Sequence, residues 1–224
     1  MRKILLGMAL AMAGTTAAQN YNPNSKNTLE VNVNLQTGSS PISFDAPSLR
    51  LRRFIKDDIA LRAMVAVSTF SNSDRIYDPG NRDKFGVTTQ NNWNFNVGLG
   101  AEKHIKSTDK LSVYLGGQLM FATGGGKFSG TNTTNGFTYV PGGEFKNSVS
   151  GGFGFGLLGV FGADYYFTKN VYVGSEISFG YTYQFNGYQL NWNNQSNTAT
   201  ESKLTTTMGL GIAVNPGVRL GVRF

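Results

Sequence analysis

The residues with chemistry to offer are few and scattered. His104 is the only histidine of 224 residues, and there is no cysteine. The lack of thiols excludes disulfides, thiolate metal sites and cysteine nucleophiles. His104 lies beside Lys103 and the turn at Lys106 with no evident serine partner, so it reads as a solvated rim residue rather than a general base. Gly154-Phe155-Gly156-Leu157-Leu158-Gly159 fits the dinucleotide pattern G-x-G-x-x-G, but no helix follows to receive a pyrophosphate. The remaining candidates are charged. Glu30, Glu102, Asp164 and Glu176 have Arg50, Arg52, Arg62, Arg219 and Arg223 available as partners, which reads as structural ion pairing rather than acid–base catalysis. No metal, cofactor or catalytic residue is expected.

The elements that must position these charges follow a period of two. Residues 28–36 set Leu29, Val31, Val33 and Leu35 against Glu30, Asn32, Asn34 and Gln36. The same alternation runs through 48–55, 59–70, 93–102, 111–121, 152–167, 171–183 and 207–224, and the last holds one parity from Met208 to Phe224. Alternation of this kind predicts strands, eight in all, an even number as a single-chain barrel requires. The face opposite the apolar row is Gly, Asn, Ser and Tyr with a few charges. A soluble sandwich would show Lys, Glu and Thr there, whereas a narrow barrel interior needs small side chains. Trp93, Phe121, Phe153, Tyr181 and Tyr183 gather at one end of the strands, and Tyr165, Phe167 and Phe224 at the other, as girdles at two lipid interfaces do. The fold class expected is all-β, an eight-stranded antiparallel up-and-down transmembrane β-barrel.

Export is written at the start. Arg2 and Lys3 precede the apolar run 4–13 and the small residues Thr15, Thr16, Ala17 and Ala18, which predicts a signal peptide over 1–18. A short periplasmic segment, 19–27, and the barrel, 28–224, follow. Loss of Arg2 and Lys3 lowers the formal charge from +7 to +5. The basic balance does not imply nucleic acid in an exported chain. No stretch resembles a membrane helix, so a membrane location demands a closed barrel in which every backbone amide is paired.

The connections alternate in length. Turns near 56–58, 106–109 and 168–170 are tight, while 37–47, 71–92, 123–149 and 185–203 read as long polar loops. Short turns belong at the periplasmic rim and long loops outside the cell, with both termini periplasmic.

The stretch 162–176, Gly-Ala-Asp-Tyr-Tyr-Phe-Thr-Lys-Asn-Val-Tyr-Val-Gly-Ser-Glu, resembles the sixth-to-seventh strand hairpin of small OmpA/OmpX-like outer-membrane barrels. The ending Gly217-Val218-Arg219-Leu220-Gly221-Val222-Arg223-Phe224 is similar to their carboxy-terminal insertion signal. The resemblance implies outer-membrane localisation, contact with lipid and lipopolysaccharide, and recognition of Phe224 by the barrel-assembly machinery. The OmpA branch carries a further peptidoglycan-binding domain after the barrel, which this chain is expected to lack.

Every inward charge named above falls toward the short-turn end, whereas Asn34, Ser68, Asn94, Asn96, Gln118, Thr182 and Thr207 occupy the other half of the same face. A charge-paired plug beneath a neutral polar vestibule is expected. Phe137, Tyr139, Tyr188 and Trp192 fall in the long loops, where they would either meet a partner or pack the loops together. The functional expectation is a non-enzymatic barrel acting through its loops or rim, in envelope structure or in binding an unidentified envelope protein. A narrow or gated passage for ions or small molecules is the alternative.

Overall fold

The computed structural model describes residues 26–36, 43–108, 110–196, 198–204 and 206–224. The expected signal peptide 1–18, nearly all of the segment 19–27 and the crown of the first loop lie outside them. Ten strands form among the described residues: β1 (Asn27–Gln36), β2 (Ser43–Phe54), β3 (Ile59–Asp78), β4 (Asn81–Ser107), β5 (Leu111–Thr133), β6 (Tyr139–Tyr166), β7 (Val171–Phe185), β8 (Tyr188–Asn193), β9 (Thr198–Lys203) and β10 (Thr206–Arg223). Eight of them close a ring in the order β5-β4-β3-β2-β1-β10-β7-β6, with β6 returning to β5. Each ladder is antiparallel. A closed ring leaves no unpaired edge along its circumference, the condition a spanning sheet must meet in lipid.

The parity of the sequence carries through to the wall. Leu61, Val65 and Val67 on β3, Leu99 on β4, Leu115, Leu119 and Phe121 on β5, and Phe155, Leu157 and Phe161 on β6 stand exposed on the outside. The alternate positions Arg62, Glu102, Tyr114 and Asp164 are buried in the lumen. An outward apolar band with a polar, buried inside inverts the pattern of a soluble domain and suits a hydrocarbon surrounding. Gly154 and Gly156 of the glycine pattern lie buried on the inner face, while Gly159 faces out beneath the Phe179 ring. The strand continues through them, and no helix follows.

Three of the expected loops prove to be hydrogen-bonded ribbons. About ten tilted residues cross a bilayer, yet β4 has 27 and β6 has 28. The β3–β4 ladder continues beyond Phe70↔Asn92 to Tyr77↔Phe85, and β5–β6 runs out to Thr131↔Glu144. In place of a loop over 185–203 there is a hairpin, β8–β9, that pairs with the far part of β6, from Phe145↔Asn193 to Ser150↔Tyr188. Gly187, at φ +87°, makes the turn by which the chain leaves β7 for β8. These segments lack apolar alternation because water reaches both faces in most places. Their ladders satisfy the backbone without burying side chains, so the pattern that revealed the wall is silent there.

Candidate functional site

The lumen at the short-turn end holds a cross-linked cluster of charges. Strand pairing brings together residues that like-charge repulsion would otherwise separate. Arg52 stands directly opposite Arg62 across β2–β3, and Glu30 opposite Arg50 across β1–β2. Two cations face to face on a sheet are unfavourable unless an anion lies between them. Glu102, from β4, supplies it: its carboxylate lies 2.7 Å from Arg52 Nη1 and 3.3 Å from Arg62 Nη1.

The other carboxylates are shared in the same way. Arg50 and Arg62 each fork onto Glu176, at 3.0 and 3.2 Å and at 2.9 and 2.8 Å respectively. Arg219 Nη1 and the Tyr114 hydroxyl also donate to Glu176 Oε2, at 3.2 and 2.7 Å. Asp164 lies between Arg52 Nη1 at 2.8 Å and Arg219 Nη2 at 3.0 Å. Glu30 pairs with Arg52 Nε, lies 3.6 Å from Arg50 and 3.5 Å from Arg219, and accepts the Tyr172 hydroxyl at 2.8 Å. Among the described residues, four arginines therefore face four carboxylates. Such a cluster tolerates burial only when each charge is matched and its hydrogen bonds are made.

Two tyrosines complete the closure, and glycine makes room for them. A Cβ on Gly221 would strike the Tyr172 ring, and one on Gly162 the hydroxyl end of Tyr114. With both glycines bare, Tyr114 and Tyr172 lie wholly buried beside the arginines, with Arg52 Cζ 5.7 Å and 5.2 Å from their respective ring centroids. Arg223, grouped with the plug from sequence, lies lower, its guanidinium 5.3 Å from the Phe54 ring centroid.

His104 corrects the sequence reading. It is buried rather than solvated, its ring set between Phe54 and Tyr114 at 5.1 and 5.3 Å. It has a serine partner after all. Nδ1 is 2.6 Å from Ser112 Oγ and Nε2 is 3.3 Å from Glu102 Oε1. A neutral ring with hydrogen on Nε2 satisfies both contacts, Ser112 donating to Nδ1. Serine, imidazole and carboxylate stand in the order of a hydrolytic triad, but Ser112 is itself buried and Glu102 already holds two arginines. The group reads as the foot of the plug. His104 lies diagonal to Ser112 across β4–β5, a proximity that eight residues of sequence separation conceal.

Above the plug the lumen opens into a cavity of about 500 Å³ lined by Asn94, Asn96, Met120, Thr182 and Gln184, with Gly124, Gly152, Gly154 and Gly156 forming one wall. Among the described residues, no charged side chain lines it. Of the expected vestibule residues, Gln118 is buried with its amide nitrogen against Met120 Sδ, and Asn34 is placed on β1.

The four loop aromatics divide. Phe137, at the tip of the β5–β6 ribbon, is 84 % exposed. Tyr188 packs edge-on against Phe185 at 5.6 Å. Trp192 lines a cleft of about 270 Å³ with Phe145, Asn147 and Thr134, and Tyr139 is half-buried at the start of β6. Phe145 was not singled out by sequence. It is buried against Phe128 at 4.9 Å and anchors the ribbons to one another.

The family model described as "Putative OmpA-OmpF-like porin family" matches residues 48–224, most of the chain and all of the ring but the first strand and the start of the second. The chain belongs to that family. With its outward apolar band, it is an outer-membrane β-barrel protein. Among solved structures it is similar to a major outer membrane protein of Thermus thermophilus, at 13 % identity and TM-score 0.47, covering 90 % of this chain and 100 % of that one. It is also similar to OprG of Pseudomonas aeruginosa, at 10 % identity and TM-score 0.44, covering 89 % and 96 %. Ail, the attachment invasion locus protein of Yersinia pestis, follows at 11 % identity and TM-score 0.37, covering 89 % and 97 %. No curated relative matches the sequence.

Proposed function

We propose that this family member is a non-enzymatic barrel with a closed lumen, which acts through its long ribbons in envelope structure or in binding a partner outside the cell. The observation that carries the reading is the plug, in which Arg52, Tyr114, Tyr172 and Asp164 have no solvent-accessible surface and charge is balanced across the lumen. A permanent aqueous path has no room to pass such a cluster. The ribbons are the other half of the argument. They extend the sheet well past the membrane and end in the exposed Phe137. In this reading the short turns and both ends of the barrel face the periplasm, and residues 1–18 are removed on export.

Planar-bilayer recording on the purified barrel tests the closed lumen. Little or no steady conductance is expected, and stable openings of nanosiemens size would overturn it. A gated passage is the second reading, favoured by the open cavity in the ribbon-end half of the lumen. Cysteines placed at Asn132 or Asn194 should react with an impermeant reagent on whole cells, and one at Asn170 should not. Co-purification from gently solubilised membranes would then identify any partner of the ribbons.

A further inference from the structure

The charges sort by position along the barrel axis. In the segments of the ribbon end, Arg75, Arg82, Lys84, Lys127, Lys146 and Lys203 are matched one for one by Asp45, Asp74, Asp78, Asp83, Glu144 and Glu201. The plug is balanced as well. The excess therefore sits in the segments of the short-turn end, where Lys26, Arg53, Lys56, Lys103, Lys106, Lys110, Lys169 and Arg223 outnumber Asp57, Asp58 and Asp109 by five.

Two of these cations face outward from the barrel wall. Arg53 continues the outer row of Leu49 and Leu51 on β2, with Ile55 beyond it. Lys103 continues the row of Leu99 and Ala101 on β4, with Ile105 beyond it, and its side chain is 65 % exposed with Asp58 at 3.9 Å. β3 runs between them, since Arg53 stands opposite Leu61 and Lys103 opposite Ile59. The pair is thus separated by about two strand spacings across and two residues along, roughly 12 Å between Cα atoms. Exposed Lys26 and Lys56 lie just below, the Lys26 carbonyl accepting the Phe54 amide at 2.7 Å.

We propose that Arg53 and Lys103, with Lys26 and Lys56, form a headgroup site for an anionic glycerophospholipid in the leaflet at the short-turn end. Both outward cations have apolar neighbours above and below in their own row, and Lys103 meets only the half-exposed Asp58 at 3.9 Å, which leaves both heads open to a lipid phosphate at that level. Long basic stems lie along an apolar wall while their heads reach the phosphate level, and the guanidinium fork matches a phosphate's oxygens. The balanced ribbon end offers no comparable attraction. The inference rests on the barrel being in a membrane and is independent of whether its lumen conducts.

The test uses the full barrel in phosphatidylcholine nanodiscs containing a minor share of phosphatidylglycerol, with retained lipids counted by native mass spectrometry. Each basic side chain at an anionic surface gives about a fivefold preference at low salt. The Arg53→Gln/Lys103→Gln variant should therefore lose most of the phosphatidylglycerol enrichment, Lys127→Gln/Lys146→Gln should keep it, and the swap Arg53→Lys/Lys103→Arg should retain it largely. If the glutamine variant does not assemble, the wild type's own preference must still fall as salt is raised. Equal retention of the two lipids by the wild type, or unchanged enrichment in the glutamine variant, overturns the proposal. Displacement of the lipid by soluble peptidoglycan fragments overturns it too, by assigning the surface to a polymer.

Discussion

Glu176→Gln is the most informative single change in the plug. The carboxylate receives Arg50, Arg62, Arg219 and the Tyr114 hydroxyl, and its side chain is only 13 % exposed. Neutralising it leaves four arginines against three carboxylates, a net positive charge in a lumen with little water to screen it. Removing one partner of a buried pair costs about 3–5 kcal/mol. The lower end, about 3 kcal/mol, is expected because glutamine keeps an acceptor oxygen for one of the donors. Adding Arg50→Met restores neutrality, since Arg50 makes its short contacts with Glu176 and otherwise only approaches Glu30 at 3.6 Å. The double variant should recover about 1–2 kcal/mol of the loss, a non-additivity that a double-mutant cycle measures directly. The assay is urea unfolding of barrels refolded in lipid vesicles, followed by tryptophan fluorescence, with the shift of the heat-modified band on gels as a second readout. The reasoning is refuted if Glu176→Gln lies within about 0.5 kcal/mol of the wild type, or if the two changes simply add.

Other expectations come from the packing around the plug and the barrel seam. Gly221→Ala drives a methyl group into the Tyr172 ring and should cost about 1–3 kcal/mol in the same unfolding assay, whereas Gly209→Ala, with nothing within 4 Å of its added carbon, should be close to neutral. Deleting Phe224 removes the reciprocal backbone pair with Asn27, at 2.9 and 3.1 Å, that closes β1 on the end of the chain. Assembled, heat-modifiable barrel should fall while transcript levels hold, and unchanged assembly would remove Phe224 from the insertion signal. His104→Ala leaves Ser112 and Glu102 each one partner short and should destabilise the barrel by about 1–2 kcal/mol in urea unfolding.

Much of the wall could be read directly. Alternation is a local property, and in a strand each step of one residue changes the face, so the parity of Leu61, Arg62, Ala63 and Met64 follows from their order alone. The same rule placed Glu102, Asp164 and Glu176 in the lumen and Trp93 and Phe167 outside it. It failed along 71–92, where most positions on both faces meet water, and along 123–149, where the covered positions are largely glycine and threonine, because a ladder that buries no apolar row leaves no period in the sequence. The β8–β9 hairpin was hidden for that reason, and with it the burial of Phe145. His104 was misread differently. Its parity is inward, but its Ser112 partner depends on the β4–β5 register, which shifts between His104 and Lys106.

The sequence alone determined which face each residue of the wall would take, how many strands the ring needs and that its charges collect at the short-turn end, because those depend only on spacing along the chain. Which base meets which acid was decided by the tertiary structure. Arg50 and Glu176 are separated by 126 residues, and Arg219 and Glu30 by 189. Their heights in the lumen come from local position, but their meeting depends on the stagger accumulated around all eight ladders. One residue of slip in any ladder would turn a row of lumen side chains out to the lipid.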